Sequence, residues 1–429
     1  LKVTLIFIAS RRGLPNAYGL TTIKLGGKWL SVLVTLSCIL LSPGLEGTQF
    51  LFLPTAFEQL FWVICIYFMV DYCKYHDAKY LIWFCIFGAF GFLTKYSITF
   101  LFGGLIISSI IFRRDIFSKR DLWIGLLIFF VLILANLYWQ IKNQFPVFIH
   151  FSQLYDRQLN QLSMVEELKK LILFSNPFTI IFWLSGLLVV PFISKFKQFR
   201  LISFALFCSF VLLFISKGKW YYFFPVVMSL VPLGAVFFEQ LLQKKKWIIY
   251  TYLISLGLTG MYLLPQGIPI VKLEKHIKLY HLKPNKDGKI PLSFDNFYST
   301  EIWTQILNIV NKTYVELQPE EQMRCLILGR HYSMAGAANL LGAKYGLPQA
   351  FSLHSSFEWI PEFDKDAIII AIGESNWIKG NWEAYFGDVK EVGIVENKYA
   401  NRVNEYNYRI FLCKKLKYNS MEFAQLIKN

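Results

Sequence analysis

Long blocks of apolar residues, broken by short basic clusters, fill the first 264 positions. The runs fall at 1–10, 25–43, 57–72, 80–94, 97–112, 122–139, 172–193, 201–216, 221–241 and 247–264. Each is apolar enough for a helix in hydrocarbon, with flanks extending the shorter ones across a core ~30 Å thick. About ten membrane spans are therefore predicted, the first partial. LKVTLIFIAS reads as the end of a span. The chain opens on Leu1 without a signal-peptide pattern, so an N-terminally truncated chain is expected.

The pattern changes after residue 264. Residues 265–290 form a basic, Pro- and Gly-containing connector. Residues 291–429 alternate short apolar runs with amphipathic stretches. A helix is predicted at 300–317, a buried strand at RCLILG (324–329) and a helix at 334–346 closed by Gly346. Further strands are predicted at DAIIIAIG (366–373), VKEVGIV (389–395) and YRIFLCKKL (408–416), with a helix at 375–386. Such alternation predicts a small parallel or mixed sheet. It carries no G-x-x-x-x-G-K phosphate loop. The fold class is a polytopic α-helical membrane domain, 1–264, followed by a small α/β domain, 291–429.

Charge gives the orientation. Alternate loops hold Arg11, Arg12, Lys24, Lys28; Lys74, Lys79; Arg113, Arg114, Lys119, Arg120; Lys195, Lys197, Arg200; and Lys244 to Lys246. The intervening loops hold only Lys95, Lys142, Arg157, Lys169, Lys170, Lys217 and Lys219. The first set is cytoplasmic by the positive-inside bias. The other set faces outward, together with everything after the last span. A multi-pass cytoplasmic (inner) membrane protein with an extracytoplasmic tail is expected. The outer face then gathers 41–59, TKYS (94–97), 136–160 and SKGKWYY (216–222).

Composition agrees with this reading. Of 429 residues 55% are hydrophobic and 18% aromatic, only 17% are charged, and the net charge is +16; mean hydropathy is +0.43. A soluble domain carries more charge. The excess cations lie beside apolar runs, which favours anionic lipid headgroups and excludes nucleic acid as the reason for them. Seven cysteines show no C-x-x-C pair. Cys325 and Cys413 sit on strand-like runs in the tail, where two buried free thiols are the better reading than a disulfide. Nothing in the chain requires a cofactor or a metal, since outer-face carboxylates are sparse.

Lys95, followed by Tyr96, lies at an outer helix end. It reads either as a snorkelling anchor or as a phosphate contact at headgroup depth. Lys217 and Lys219 allow the same two readings, but two outer lysines run against the positive-inside bias and favour phosphate. Tyr221 and Tyr222 are belt aromatics or sugar-stacking faces. Glu46 and Glu58 are the acids of the outer stretch 44–59, and Glu58 sits at the membrane boundary, where an ionisable group is costly and often functional. In the tail His331, Tyr332, His354 and Ser355 lie near strand ends, where α/β sheets place ligand contacts.

Taken in order, LGGKWLSVLVTLSCILLSP (25–43), LFW (60–62), GAFGFLTKYS (88–97), NLYWQIKNQFP (136–146), KGKWYYFFPVVMSLVPLGA (217–235) and HYSMAGAANLLGAKYGLP (331–348) carry a resemblance. The chain resembles bacterial integral-membrane glycosyltransferases of the GT-C class, in the protein O-mannosyltransferase and aminoarabinose transferase family. The resemblance spans essentially the whole chain. It implies a polyprenyl-phosphate sugar donor, a lipid, glycan or protein acceptor, and transfer on the outer membrane face. It implies a main catalytic acid in a first outer loop, expected upstream of Leu1. A second acid is expected where Thr55 stands; Glu58, one turn later on the same helix face, is the substitute candidate. The resemblance gives Lys95, Lys217 and Lys219 to the donor phosphate, and Tyr96, Trp139, Gln140, Tyr221 and Tyr222 to the substrate cavity. The competing classes are a transporter and an anchored sensor. Spans nearly free of mid-helix charge, without paired repeats, argue against a transporter. Tight ligand binding by the tail alone would favour the sensor.

Overall fold

The computed structural model describes the backbone of residues 2–51, 53–292, 300–352, 362–374, 382–420, 422–423 and 426, with the side chains of these described from residue 12 onward except at Thr300. Two compact units emerge, 1–270 and 271–429.

In the first unit every apolar run has its helix. They are α1 (Lys2–Lys24), α2 (Trp29–Leu40), α3 (Pro43–Phe50), α4 (Pro54–Tyr75), α5 (Lys79–Thr94), α6 (Thr99–Phe112) and α7 (Arg120–Lys142). Next come α8 (Pro146–Leu154), α9 (Met164–Phe174), α10 (Ile180–Leu188), α11 (Arg200–Ile215), α12 (Phe224–Leu241) and α13 (Lys246–Gly267). Among the described residues five helices are long and apolar enough to cross a membrane, and two bent pairs and two shorter apolar helices join them. The chain is a multi-pass membrane protein.

Three expectations change. The first span was expected to end near residue 10, with a basic loop after it; α1 instead continues through Arg12 and Pro15 to Lys24. Leu14, Tyr18, Thr22 and Leu25 recur at helical spacing and are buried, and this stripe holds the segment helical against α4 and α2. The run 172–193 is not one straight helix: α9 and Pro177–Phe192 meet at 94°. The break is at Asn176, which has φ +71°. Its Nδ2 donates to Leu41 O at 3.3 Å and Leu256 O at 3.0 Å, and its Oδ1 accepts from Phe178 N at 3.2 Å. Leu41 lies in the 63° bend between α2 and α3, so one buried amide ties both broken spans together. Finally, 136–160 is not a loop but the end of α7, then α8 and a π-turn at Tyr155–Leu159.

Two close crossings fix the frame of the site. Helices α6 and α11 run antiparallel, with Ser108 Oγ donating to Leu201 O at 2.6 Å and Ser209 Oγ to Phe100 O at 3.0 Å. Between those bonds a Cβ on Gly104 would lie 2.2 Å from Ala205 O, so only glycine permits the approach. Helix α12 is buried continuously from Phe224 to Val236 and forms the centre of the unit.

The second unit contains α14 (Leu273–Leu279), α15 (Thr300–Val315), α16 (Pro319–Met323) and α17 (Tyr332–Gly342), with β1 (Cys325–Gly329), β2 (Ala350–Ser352), β3 (Ile368–Glu374), β4 (Phe386–Glu396) and β5 (Asn407–Leu416). The sheet order is β2-β1-β3-β5-β4, with β2, β1 and β3 parallel and β5 antiparallel to β3 and β4. The sheet is mixed, as the alternation predicts. The three-residue β2 is too short to show periodicity. The strand expected at 389–395 begins at Phe386, inside the end of the helix expected at 375–386; the rest of that helix lies mostly outside the described residues. Cys325 and Cys413 are free, buried thiols in the cores on opposite faces of the sheet.

Candidate functional site

The polar centre of the first unit forms where α4 begins, α5 ends and α12 is entered. Helix α5 stops because Lys95 is extended at φ −163°, ψ 127°, and a 3₁₀ turn at Tyr96–Ile98 follows. This break turns the Lys95 and Tyr96 side chains into different surroundings. Lys95 Nζ reaches Glu58 Oε2 at 2.7 Å; the lysine side chain is 22% exposed and the carboxylate fully buried. Ser97 Oγ donates to the other carboxylate oxygen, Oε1. Lys95 Nζ also lies 4.4 Å from the Tyr222 ring centre and 5.8 Å from that of Tyr221. The two rings meet edge-on at 4.7 Å. An ammonium over two aromatic faces, on a buried carboxylate, is held in a medium of low polarity where charge counts heavily.

Tyr96 belongs to a second, adjoining network. Its hydroxyl donates to Asn136 Oδ1 at 3.0 Å and accepts from Gln140 Nε2 at 2.9 Å. Gln140 Oε1 accepts from Val147 N at 3.4 Å, so this network links the α5–α6 corner to α7 and the start of α8. A third group ties α3 to the start of α4: Gln49 Nε2 donates to Gln59 Oε1 at 2.7 Å, and Gln59 Nε2 to Thr48 Oγ1 at 3.1 Å.

The structure thus brings together four of the sequence-predicted residues, Glu58, Lys95, Tyr221 and Tyr222, and joins two others, Tyr96 and Gln140, in the adjoining network. It places others apart. Lys217 Nζ donates to Asn160 O at 2.7 Å and Oδ1 at 3.1 Å, and Lys219 Nζ to Gln158 Oε1 at 2.5 Å. These lysines tie the entry of α12 to the π-turn segment after α8. Glu167, buried on α9, anchors the same corner by accepting from Trp220 N at 2.8 Å. Trp139 is 53% exposed on the surface of α7. Glu58 lies behind Lys95 with no exposed surface, so it faces an ammonium and a hydroxyl and not an open cavity.

Sequence reasoning missed Ser97 and Asn136. Asn136 was visible as an amide inside the apolar run 122–139. Ser97 had no signal apart from its place in TKYS. In the second unit Tyr332 opens α17 and is 49% exposed. His354 and Ser355 lie outside the described residues. At the carboxyl ends of β1 and β3 the structure adds an ion pair, Arg330 to Glu374 at 3.2 Å. Among the described residues, no group of three or more His, Cys, Asp or Glu side chains converges in a metal-binding arrangement.

Residues 18–139, which contain Glu58, Lys95, Ser97 and Asn136, match the family model described as dolichyl-phosphate-mannose-protein mannosyltransferase. Among solved structures, ArnT from Cupriavidus metallidurans, determined bound to undecaprenyl phosphate, aligns over 96% of this chain and 83% of that one with a TM-score of 0.54 and 12% identity. The chain has the fold of a GT-C membrane glycosyltransferase. Both comparisons agree with the resemblance carried by the sequence motifs. No curated protein matches the chain by sequence.

Proposed function

We propose that the chain transfers a sugar from a polyprenyl-phosphate donor to a hydroxyl-bearing lipid, glycan or protein on the outer face of the cytoplasmic membrane. The observation that carries the proposal is the Lys95 ammonium, held at a helix break by buried Glu58 and walled by Tyr221 and Tyr222. It lies inside the stretch that matches the mannosyltransferase family model.

In the proposed step an acceptor oxygen attacks the anomeric carbon. The bond from that carbon to the phosphate oxygen breaks, the phosphate leaves on its lipid, and the hydroxyl proton passes to a carboxylate base. Lys95 stabilises the charge that grows on the leaving phosphate. Buried Glu58 is a positioning residue: with Ser97 it fixes where the ammonium sits. Tyr221 and Tyr222 present aromatic edges to the donor. Lys217 and Lys219 contribute by holding Asn160 and Gln158, which fixes the segment after α8 at the entry of α12.

The test is lipid binding by the purified chain in detergent, followed by native mass spectrometry with undecaprenyl phosphate and undecaprenol as paired probes. The wild type is expected to retain the phosphate at least ~10-fold better, the scale of one charge-assisted contact. Lys95→Ala should bring the two lipids level and Lys95→Arg should keep most of the difference. Equal retention of both lipids by the wild type, or an unchanged preference in Lys95→Ala, would sink the phosphate role.

A further inference from the structure

At the other end of the α6–α11 pair lies a cavity of about 450 Å³ lined by Phe112, Arg113, Lys197, Gln198, Arg200 and Leu201. From Tyr96 to Arg113 the chain is almost wholly helical, so this cavity stands ~25 Å along the helix axis from the Lys95 corner at 1.5 Å per residue. That is close to the thickness of a bilayer core. The loop charges assign this end to the cytoplasm.

Three cations line the cavity, and they are not equally engaged. Arg113 is held by Asp115, with Nε to Oδ1 at 2.8 Å and an Nη to Oδ2 at 3.0 Å, and it also donates to the Tyr72 hydroxyl at 3.3 Å. Among the described residues Lys197 and Arg200 have no ion-pair partner, and the Nε of Arg200 is buried without any hydrogen-bond partner. Phe112 and Leu201 supply an apolar wall next to the cations.

We infer that this cavity binds a phosphate-bearing anion, with Arg200 and Lys197 as its ligands and the apolar wall beside the non-phosphate part. The volume suits a headgroup or a small phosphorylated molecule, and a basic pocket between helices at the cytoplasmic end is a form of site that takes an anionic lipid headgroup. The site is independent of the Lys95 corner and of the function proposed for it.

The probes are phosphatidylglycerol, phosphatidylcholine and soluble glycerol 3-phosphate, each added to the purified full chain in neutral detergent. The readouts are retained lipid by native mass spectrometry and the shift in melting temperature. Phosphatidylglycerol, but not phosphatidylcholine, should be retained and should raise the melting temperature. Lys197→Ala with Arg200→Ala should weaken that binding at least tenfold. Arg114→Ala with Lys119→Ala removes the same charge from the neighbouring loop and should leave binding within twofold. Arg200→Lys checks that the loss is one of charge and not of folding, and should keep part of the affinity. Glycerol 3-phosphate competing at the lipid's own concentration would identify a soluble phosphate as the ligand, and failure to compete would identify the headgroup; each supports the site. Equal retention of the two lipids by the wild type, or an equal loss in the Arg114 and Lys119 control, overturns it.

Discussion

Glu58 and Lys95 show what one buried ion pair costs and what it fixes. The carboxylate is fully buried and the lysine side chain 22% exposed, 2.7 Å apart. Removing one partner strands the other charge, whereas replacing both with well-packed uncharged groups is often neutral. Lys95→Met alone is therefore expected to destabilise the first unit by about 3 kcal/mol, the lower end for a broken buried pair. Glu58→Gln combined with Lys95→Met should recover most of that loss while leaving the preference for polyprenyl phosphate over polyprenol abolished. Thermal unfolding of the four members of the cycle in one detergent checks the first statement and lipid retention the second. A restored preference in the double variant would make the pair a packing feature only. At this scale the sequence was legible where chemistry was unusual for its surroundings: an acid and a lysine at span ends, and a Tyr-Tyr pair after two lysines. It was not legible where the partner decided the role. Lys217 and Lys95 look alike as outer-face lysines, yet one meets a buried carboxylate and the other the carbonyl of Asn160. Ser97 and Trp139 illustrate the same limit, since orientation about a helix break follows from tertiary packing.

Elements were readable in existence and type wherever apolar runs were long, and less so where the composition turned basic. Residues 265–290 read as a basic, Pro- and Gly-containing connector because the last apolar run stops at 264. Helix α13 instead carries Pro265 in its final turn and runs to Gly267. Proline removes one amide donor and crowds the carbonyl four residues earlier, which a helix end with few remaining bonds tolerates better than its middle. Beyond it the short α14 is pinned by His276, which is 4% exposed and packs on Tyr280 at 4.7 Å. Burial lowers the His276 pKa below its ordinary 6.5, because a charged imidazole would lose its hydration. The sign follows: the unfolded chain binds this proton more readily than the folded one, so α14 loses stability as pH falls below about 6.5 and is at full strength above it. Melting temperature measured from pH 8 to pH 5 should show this acid-side fall in the wild type. In His276→Phe the segment of the fall below about pH 6.5 should flatten. Identical pH profiles for the two proteins would place the neutral histidine's burial outside the energetics of folding.

For the whole molecule, the antiparallel pair α6–α11 supplies an internal ruler, because its two ends carry different chemistry. Lys95, Lys217 and Tyr222 mark one end and Arg113, Lys197 and Arg200 the other. The positive-inside bias assigns the second end to the cytoplasm, and the chain itself provides the means to check it. All seven cysteines are buried and free, so a membrane-impermeant maleimide should label the native protein little in intact cells. Ser216, Ser118, Ser194 and Ser333 are exposed, and serine to cysteine is a small change in volume. Ser216→Cys, at the Lys217 corner, should react from outside without permeabilisation. Ser333→Cys in the second unit should do the same, because the parity of the apolar runs leaves the tail on that side. Ser118→Cys and Ser194→Cys, at the Arg113 and Lys197 end, should react only after the membrane is opened. The reverse pattern would move the Lys95 corner to the cytoplasm. A donor delivered to the outer face could not then meet Lys95, and the basic cavity would face outward without its supply of inner-leaflet anionic headgroups. Ser216 and Ser118 reacting from the same side would break the ruler itself, since the α6–α11 pair would then not span the bilayer.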